Sequence, residues 1–132
     1  MKYGRSSMFL ARTAELRRIA AFVERFCSEA GIPRDRGLRL NLVLEELFVN
    51  TIRHGHRGER DAPVWISLEA ENGAVKVAYE DNAPAFNPLA YRAANAGSKV
   101  GGLGVLLTRE LAASRDYAYL FGRNRVRLEL MP

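Results

Sequence analysis

The stretch LNLVLEELFVNTIRHGH at residues 40–56 determines the predicted fold. Its apolar side chains recur at intervals of three and four residues, so they share one face of an amphipathic helix and can be buried together. We therefore predict a helix packed against a hydrophobic core. The residues of this apolar face are Leu40, Val43, Leu44, Leu47 and Phe48.

A polar line runs along the same helix, because Glu46, Asn50 and His54 recur at every fourth residue. Each step of four residues advances about 6 Å along the helix axis and turns about 40° around it. A solvated helix face more usually carries paired Lys and Glu residues, so this line is a candidate site. The alternative is that Glu46 and Asn50 are merely exposed, while His54 is a C-terminal cation beside Gly55.

Length and composition favour one soluble domain covering residues 1–132. Hydrophobic residues make up 48% and charged residues 27% of the chain, which is ordinary for a globular protein. The sequence contains no apolar run of about 18 residues and no signal-peptide pattern. Its single cysteine, Cys27, excludes an internal disulfide. These features predict a cytoplasmic protein that does not enter a membrane.

The net charge of +5 and the isoelectric point near 9.8 favour an acidic partner or ligand. The basic residues are scattered along the chain, without the interleaved aromatic residues that single-stranded nucleic acid requires. A nucleic-acid-binding regulator is therefore ranked last among the candidate functions.

Around the central helix, hydrophobic periodicity and turn residues predict an α+β order. Thr13 is the expected N-cap of the first helix, and Gly31 with Pro33 ends it. Asn72-Gly73 predicts a type I′ hairpin turn. The predicted strands are 7–10, 64–71, 74–80, 117–121 and 125–130, the last two joined by a turn at 122–124; the predicted helices are 13–30, 34–55, 89–95 and 105–113.

Two hairpins and several helices predict a two-layer α/β sandwich. Its sheet is expected to be mixed or antiparallel and to be covered on one face by about three helices. We find no internal repeat and no linker in the sequence.

The glycine-rich segment GSKVGGLG at residues 97–104 precedes a predicted helix. Glycines allow a close approach of the backbone to an anion, and a helix N-terminus offers free amides, so the segment is a candidate phosphate site to which Lys99 adds charge. It matches neither a Walker A loop nor a dinucleotide-binding GxGxxG pattern. The alternative is a flexible loop before a packed helix.

Asp81 lies at the end of a predicted strand and leads into a loop that contains two prolines. Its carboxyl group can cap the turn, or it can accept a hydrogen bond from the exocyclic amine of a ligand. Phe86, in the same loop, belongs either to the core or to the wall around a ligand.

Three stretches together resemble the nucleotide-binding boxes of the GHKL (Bergerat-fold) ATPases. LEELFVNTIRHGH resembles the N box, EDNAPAFNPL the G1 box and KVGGLGVLLTREL the G2 box. The order and the separations agree, and the resemblance covers nearly the whole chain. It is greatest to the small bacterial anti-sigma-factor serine/threonine kinases and anti-sigma regulatory factors. The resemblance implies a Bergerat ATP-binding fold that uses ATP and Mg²⁺.

Individual roles follow from the same resemblance. Glu46 matches the general base, Asn50 matches the Mg²⁺ ligand, and Asp81 matches the aspartate that accepts from adenine N6. Ala83 departs from the pattern, because many relatives carry glycine there, and its added methyl group would either be tolerated or crowd the adenine. The remaining residues expected to bind nucleotide are Phe86 in the G1 box and Lys99, Gly101, Gly102, Leu103 and Gly104 around the ATP lid.

The function implied by the resemblance is an ATP-dependent kinase that regulates transcription. It would phosphorylate a serine of a STAS-domain anti-anti-sigma partner and would also sequester a sigma factor. Relatives are often homodimers, with the first strand and helix as plausible contact surfaces. The alternative is a catalytically inactive partner switch that is gated by nucleotide.

Overall fold

The computed structural model describes residues 2–89 and 112–132, except for the side chains of residues 112–114. A short 3₁₀ turn (Thr13–Glu15) precedes the first helix, and a π turn (Thr51–Gly55) follows the second. None of the helices in these two ranges is long and apolar enough to cross a bilayer. The elements are β1 (Lys2–Ala11), α1 (Leu16–Ala30), α2 (Arg34–Asn50), β2 (Arg60–Glu71), β3 (Ala74–Asp81), β4 (Ala112–Leu120) and β5 (Arg123–Leu130).

The five strands form one sheet in the order β1-β2-β3-β5-β4, and every neighbouring pair is antiparallel. Helices α1 and α2 contribute to one core with the sheet. The predicted α+β class is therefore confirmed, with an antiparallel sheet. The predicted helix at 89–95 lies outside the described residues, apart from its first residue. The predicted helix at 105–113 does so too, except that Ala112 already begins β4.

The core lies between α1 and α2 and the alternating inward positions of the strands. All five apolar residues predicted for α2 are buried. Each such aliphatic or aromatic side chain contributes about 1.5–3 kcal/mol through removal from water. The outward positions are mainly polar, so alternation fixes which face of the sheet the helices cover. Inward strand residues include Val64, Ile66, Leu68, Val75, Val77, Val126, Leu128 and Leu130.

Two hairpin turns connect neighbouring strands: one joins β2 to β3, and the other joins β4 to β5. Asn72 and Gly73 have φ angles of 54° and 83°, as the type I′ prediction requires. Phe121 and Gly122 form the second turn with φ angles of 51° and 76°. This turn is shorter than the predicted 122–124, so Asn124 belongs to strand β5 rather than to the turn.

The start of α1 differs from the predicted Thr13 N-cap. The Thr13 amide and hydroxyl both donate to Oε1 of Glu59, at 2.7 and 2.9 Å. The Thr13 hydroxyl is therefore bonded to a carboxylate from the segment before β2, and neither the 3₁₀ turn nor α1 has a side-chain cap hydrogen bond at its start. At the other end of α1, Gly31 has a φ angle of 72°, which confirms the predicted glycine cap.

Candidate functional site

The C-terminal end of α2 carries the polar residues toward the sheet. Helix α2 ends at Asn50, and a π turn follows, in which the His56 amide donates to the Thr51 carbonyl at 2.8 Å. A π turn holds one more residue than an α-helical turn and is frequent at functional sites. In this turn Thr51 is buried, and its hydroxyl reaches the end of β3.

Asp81, the last residue of β3, is the centre of the buried polar network, and only 6% of its surface is exposed. Its Oδ1 accepts hydrogen bonds from the Ala83 amide at 3.1 Å and from Asn124 Nδ2 at 2.9 Å. Its Oδ2 accepts one from the Thr51 hydroxyl at 2.7 Å. A carboxylate offers about four acceptor positions, and the described residues leave one position on Oδ2 for a further donor. The turn-capping role of Asp81 is therefore present, and it leaves the carboxyl able to accept from a ligand.

A second buried hydroxyl supports this arrangement. Tyr79 Oη lies 2.6 Å from Thr51 Oγ1, and burial raises the pKa of Tyr79 well above its usual value. With the Thr51 hydrogen donated to Asp81, the phenol hydrogen of Tyr79 goes to Thr51 Oγ1 or to the Leu47 carbonyl, which lies 3.3 Å from Tyr79 Oη. The Leu47 carbonyl also lies 3.2 Å from Thr51 Oγ1, so it forms one buried network with the two hydroxyls and the Asp81 carboxyl group.

Asn124 joins β5 to the loop that follows β3, and it is only 4% exposed. Besides Asp81, its Nδ2 donates to the carbonyls of Ala83 and Pro84, at 3.0 and 3.1 Å. Its Oδ1 accepts from the Phe86 amide at 2.8 Å and from the Tyr117 hydroxyl at 2.5 Å. One side-chain amide therefore holds both the Asp81 carboxyl and the wall of the loop.

Sequence reasoning missed Asn124 because it was assigned to a turn. A signal was available: Asn124 shares the inward face of β5 with Val126, Leu128 and Leu130. A buried amide at the end of an apolar row needs partners, which marks this position as part of a polar network. Thr51 and Tyr79 were also missed, since single hydroxyl groups in apolar stretches carry little signal.

The loop after β3 packs closely on the π turn. A Cβ atom placed on Gly55 would lie only 2.9 Å from Cβ of Ala83, which is 1% exposed. Real Cβ atoms do not approach so closely, so the absence of a side chain at Gly55 makes room for the Ala83 methyl group. The Ala83 methyl group, for which the sequence left tolerance and crowding of the adenine open, is thus packed against the π turn.

Two histidines follow Asn50 in this region. The rings of His54 and Phe86 stack with centroids 5.9 Å apart and an angle of 27°. His56, which sequence reasoning did not select, is 9% exposed, and its buried Nε2 has no hydrogen-bond partner within the described part of the chain. Burial lowers the pKa of His56, while Asp81 acts in the opposite direction and Arg60 adds to the lowering.

Glu46 and Asn50 are both half-buried on α2, whereas the neighbouring Glu45 is exposed. None of the ion pairs found among the described residues includes Glu46. Asn50 directly precedes Thr51, so α2 ends beside the residue that bonds to Asp81. The lid residues named above, Lys99, Gly101, Gly102, Leu103 and Gly104, lie outside the described residues.

The metal-ligating side chains of the described residues show whether the site suits Mg²⁺. They include no group of three or more His, Cys, Asp or Glu side chains that could hold a metal ion. Mg²⁺ commonly keeps several waters and binds through substrate phosphates with only one or two protein ligands. An amide oxygen at Asn50 fits this mode of binding.

Comparison with known proteins agrees with the fold. The chain resembles the crystal structure of the RsbU and RsbW domains of Rv1364c from Mycobacterium tuberculosis, with a TM-score of 0.65 and 15% identity. The alignment covers 98% of this chain and 32% of that one, so the present chain spans about a third of it. At this identity the likeness establishes the fold alone. Among curated proteins no sequence matches this chain.

The profile of the histidine kinase-like ATPase domain matches residues 9–130, which is most of the chain. The matched range includes α2, the Asp81 network and all three boxes, so the predicted membership is confirmed. This chain belongs to the histidine kinase-like ATPase domain family.

Proposed function

We propose that this protein is an ATP-dependent serine/threonine kinase of the anti-sigma type. It would phosphorylate a serine of a STAS-domain anti-anti-sigma protein and would sequester a sigma factor in the cytoplasm. The ATPase family implies ATP binding. The observation that carries the proposal is the Asp81 carboxyl, which is buried, keeps one acceptor position that no described residue fills, and is bonded to Thr51, the residue after Asn50.

The adenine would bind at Asp81. A purine 6-amino group is a donor, and Oδ2 of Asp81 has an acceptor position that no described residue fills. Ala83 and Phe86 follow in the loop that Asn124 holds, so they would form the wall beside the base. The base would then lie next to the π turn, and the phosphates would extend along α2 toward Asn50.

Asn50 would supply a protein ligand to Mg²⁺, and the bound ion would neutralise phosphate charge during transfer. By resemblance, Lys99, Gly101, Gly102, Leu103 and Gly104 would hold the phosphates through backbone amides and one ammonium group. Phosphoryl transfer depends mainly on such positioning and charge neutralisation. This chain's contribution would therefore be the Asn50 amide on α2 and, by resemblance, the glycine-rich segment.

Glu46 would act as the general base. In the transfer step the substrate serine Oγ forms a bond to the γ-phosphorus, and the bond from that phosphorus to the β,γ-bridging oxygen breaks. The serine proton passes to the Glu46 carboxylate, and ADP leaves. Support comes from the position of Glu46, one turn before Asn50, where it is half-buried and in no ion pair with a described residue.

Partner binding would depend on charge. The chain carries a net charge of +5, which favours acidic protein surfaces and speeds encounter with them at low salt. A homodimer formed through β1 and α1 is part of the proposal, and sedimentation of the purified protein would measure it.

The test replaces Glu46 by Gln and follows ADP formation together with phosphoserine on a purified STAS-domain protein. General-base catalysis contributes about 10²–10⁴-fold, so we expect Glu46→Gln to lower the transfer rate by about that factor. ATP affinity should change little, since the carboxyl acts on the serine proton. Glu45→Gln is the matched control, because Glu45 is the exposed neighbour on the same helix.

Two outcomes would contradict the proposal. Full transfer by Glu46→Gln would show that Glu46 is not the base. If the wild-type protein binds ATP but transfers no phosphate to any STAS protein tested, the chain is a nucleotide-gated switch rather than a kinase.

A further inference from the structure

The orientation of the Asn124 amide is fixed by its partners. Its Nδ2 faces three acceptors, namely Asp81 Oδ1 and the carbonyls of Ala83 and Pro84. Its Oδ1 faces two donors, the Phe86 amide and the Tyr117 hydroxyl. Rotation of the amide by 180° would place oxygen against three acceptors and NH₂ against the Phe86 amide. The amide is therefore held in one orientation, with its donor toward Asp81.

With this orientation of Asn124, both acceptor positions on one oxygen of the Asp81 carboxyl are filled. Oδ1 receives the Ala83 amide at 3.1 Å and Asn124 Nδ2 at 2.9 Å, which occupy its two acceptor positions. Among the described residues, the donor to Oδ2 is the Thr51 hydroxyl alone, at 2.7 Å. Rotation of the carboxyl is opposed by all three donors, so the remaining position is always an acceptor on Oδ2.

Two hydroxyl groups complete the network on the α2 side. The Thr51 hydroxyl donates to Asp81 Oδ2 at 2.7 Å, and the Tyr79 phenol, whose pKa is raised by burial, donates to Thr51 or to the Leu47 carbonyl. Both hydrogens thus have acceptors within the protein, so neither hydroxyl needs a ligand as its acceptor. The described residues around Asp81 therefore present a purine with an acceptor at this point.

We infer that Asn124 is a positioning residue that sets nucleobase specificity, because it holds Asp81 as a fixed acceptor for a 6-amino purine and against a 6-oxo purine. A 6-oxo group would place an acceptor against Oδ2, and both oxygens would lose a partner on leaving water. Sites built to satisfy a polar group discriminate strongly against analogues that leave it unpaired. The inference rests on ATP binding at Asp81 but not on kinase activity.

The experiment compares Asn124→Thr with Asn124→Val. These two side chains have the same shape, both lose the amide contacts to the loop, and only Thr keeps a donor near Asp81. Dissociation constants are measured by equilibrium titration with ATP, GTP and purine riboside triphosphate, which lacks the 6-substituent. Asn82→Asp is a control for charge near the site, since Asn82 is exposed in the same loop. Unfolding midpoints are measured for every variant.

We expect Asn124→Val to reduce the preference for ATP over GTP by at least about tenfold. Asn124→Thr should retain most of that preference, and the affinity for purine riboside triphosphate should change least in either variant. A general loss of structure would instead weaken the binding of all three nucleotides by the same factor in both variants. Unchanged preference in Asn124→Val, or equal wild-type affinity for ATP and GTP, would overturn the inference.

A second measurement needs no variant. The side-chain amide resonances of Asn124 in the wild-type protein should shift more on adding ATP than on adding purine riboside triphosphate, because only ATP bonds to the carboxyl that Asn124 holds. Equal shifts with the two nucleotides would overturn the inference. All of these measurements record binding. If the protein proves to have no phosphotransfer activity, the proposed kinase function is contradicted, but the role of Asn124 is still decided by the binding data.

Discussion

Gly55 shows how one missing side chain shapes the site. Its position in the π turn leaves no room for a Cβ, because Ala83 of the opposite loop would be 2.9 Å away. Ala83 in turn donates its amide to Asp81 and offers its carbonyl to Asn124. The contact between a glycine and an alanine thus sets the spacing of helix and loop around the acceptor.

Gly55→Ala should therefore destabilise the protein, although alanine is normally the better helix former by about 1 kcal/mol. Overpacking of a close contact typically costs about 1–3 kcal/mol. Ala83→Gly removes the opposing methyl group, so the double variant should recover most of the loss. The free energy of unfolding is measured in urea for the wild type, the two single variants and the double variant. Simple additivity of the two single effects would show that these residues do not compete for the same space.

At the scale of elements, the two hairpins use the same turn with different residues. Asn72-Gly73 connects β2 to β3, and Phe121-Gly122 connects β4 to β5, each with two positive φ angles. Asparagine tolerates the left-handed region, whereas a bulky residue does so at a cost of about 1–2 kcal/mol. Phe121 recovers none of this by packing, because its side chain is fully exposed at 102%.

Phe121→Asn should raise the free energy of unfolding by about 1 kcal/mol, since the new residue suits the turn and loses no contact. The reciprocal change, Asn72→Phe, should lower it by a similar amount. Both values come from denaturant unfolding with an unchanged slope. If Phe121→Asn is no more stable than the wild type, the aromatic ring has a stabilising contact that compensates for its backbone.

At the scale of the whole molecule, the site is assembled from distant parts of the chain. Thr51 and Asn124 lie 30 and 43 residues from Asp81 in sequence, yet both bond to its carboxyl group. A ligand of this site should therefore bind the folded protein and not the unfolded chain. Folding and nucleotide binding are coupled by mass action for that reason.

ATP with Mg²⁺ at about 100 times its dissociation constant should raise the free energy of unfolding by about 2.7 kcal/mol. Asn50→Ala should lose most of this gain when Mg²⁺ is present, because the ion loses its protein ligand. Without Mg²⁺ the variant and the wild type should bind ATP alike. Calorimetric titration and thermal unfolding measure both effects. Identical ATP affinity of the two proteins in the presence of Mg²⁺ would remove Asn50 from the metal site.

The sequence by itself determined the local features. The three- and four-residue spacing predicted the buried face of α2, Asn72-Gly73 predicted a type I′ turn, and Gly31 predicted the end of α1. Each of these depends on neighbours within one helical turn or one hairpin, which a sequence pattern records directly. The three boxes also sufficed to predict the ATPase family that the profile match confirmed.

Only the tertiary structure decided which groups complete the acceptor at Asp81. Asp81 and Asn124 are register partners across the β3–β5 pair, which are neighbours in the sheet although β4 lies between them in sequence. The Thr51 hydroxyl reaches the same carboxyl only because α2 gives way to a π turn at this point. Such contacts depend on strand order and on a single turn of the helix, and no local periodicity encodes either. A buried carboxyl needs partners wherever they come from, and packing alone determined which residues supply them.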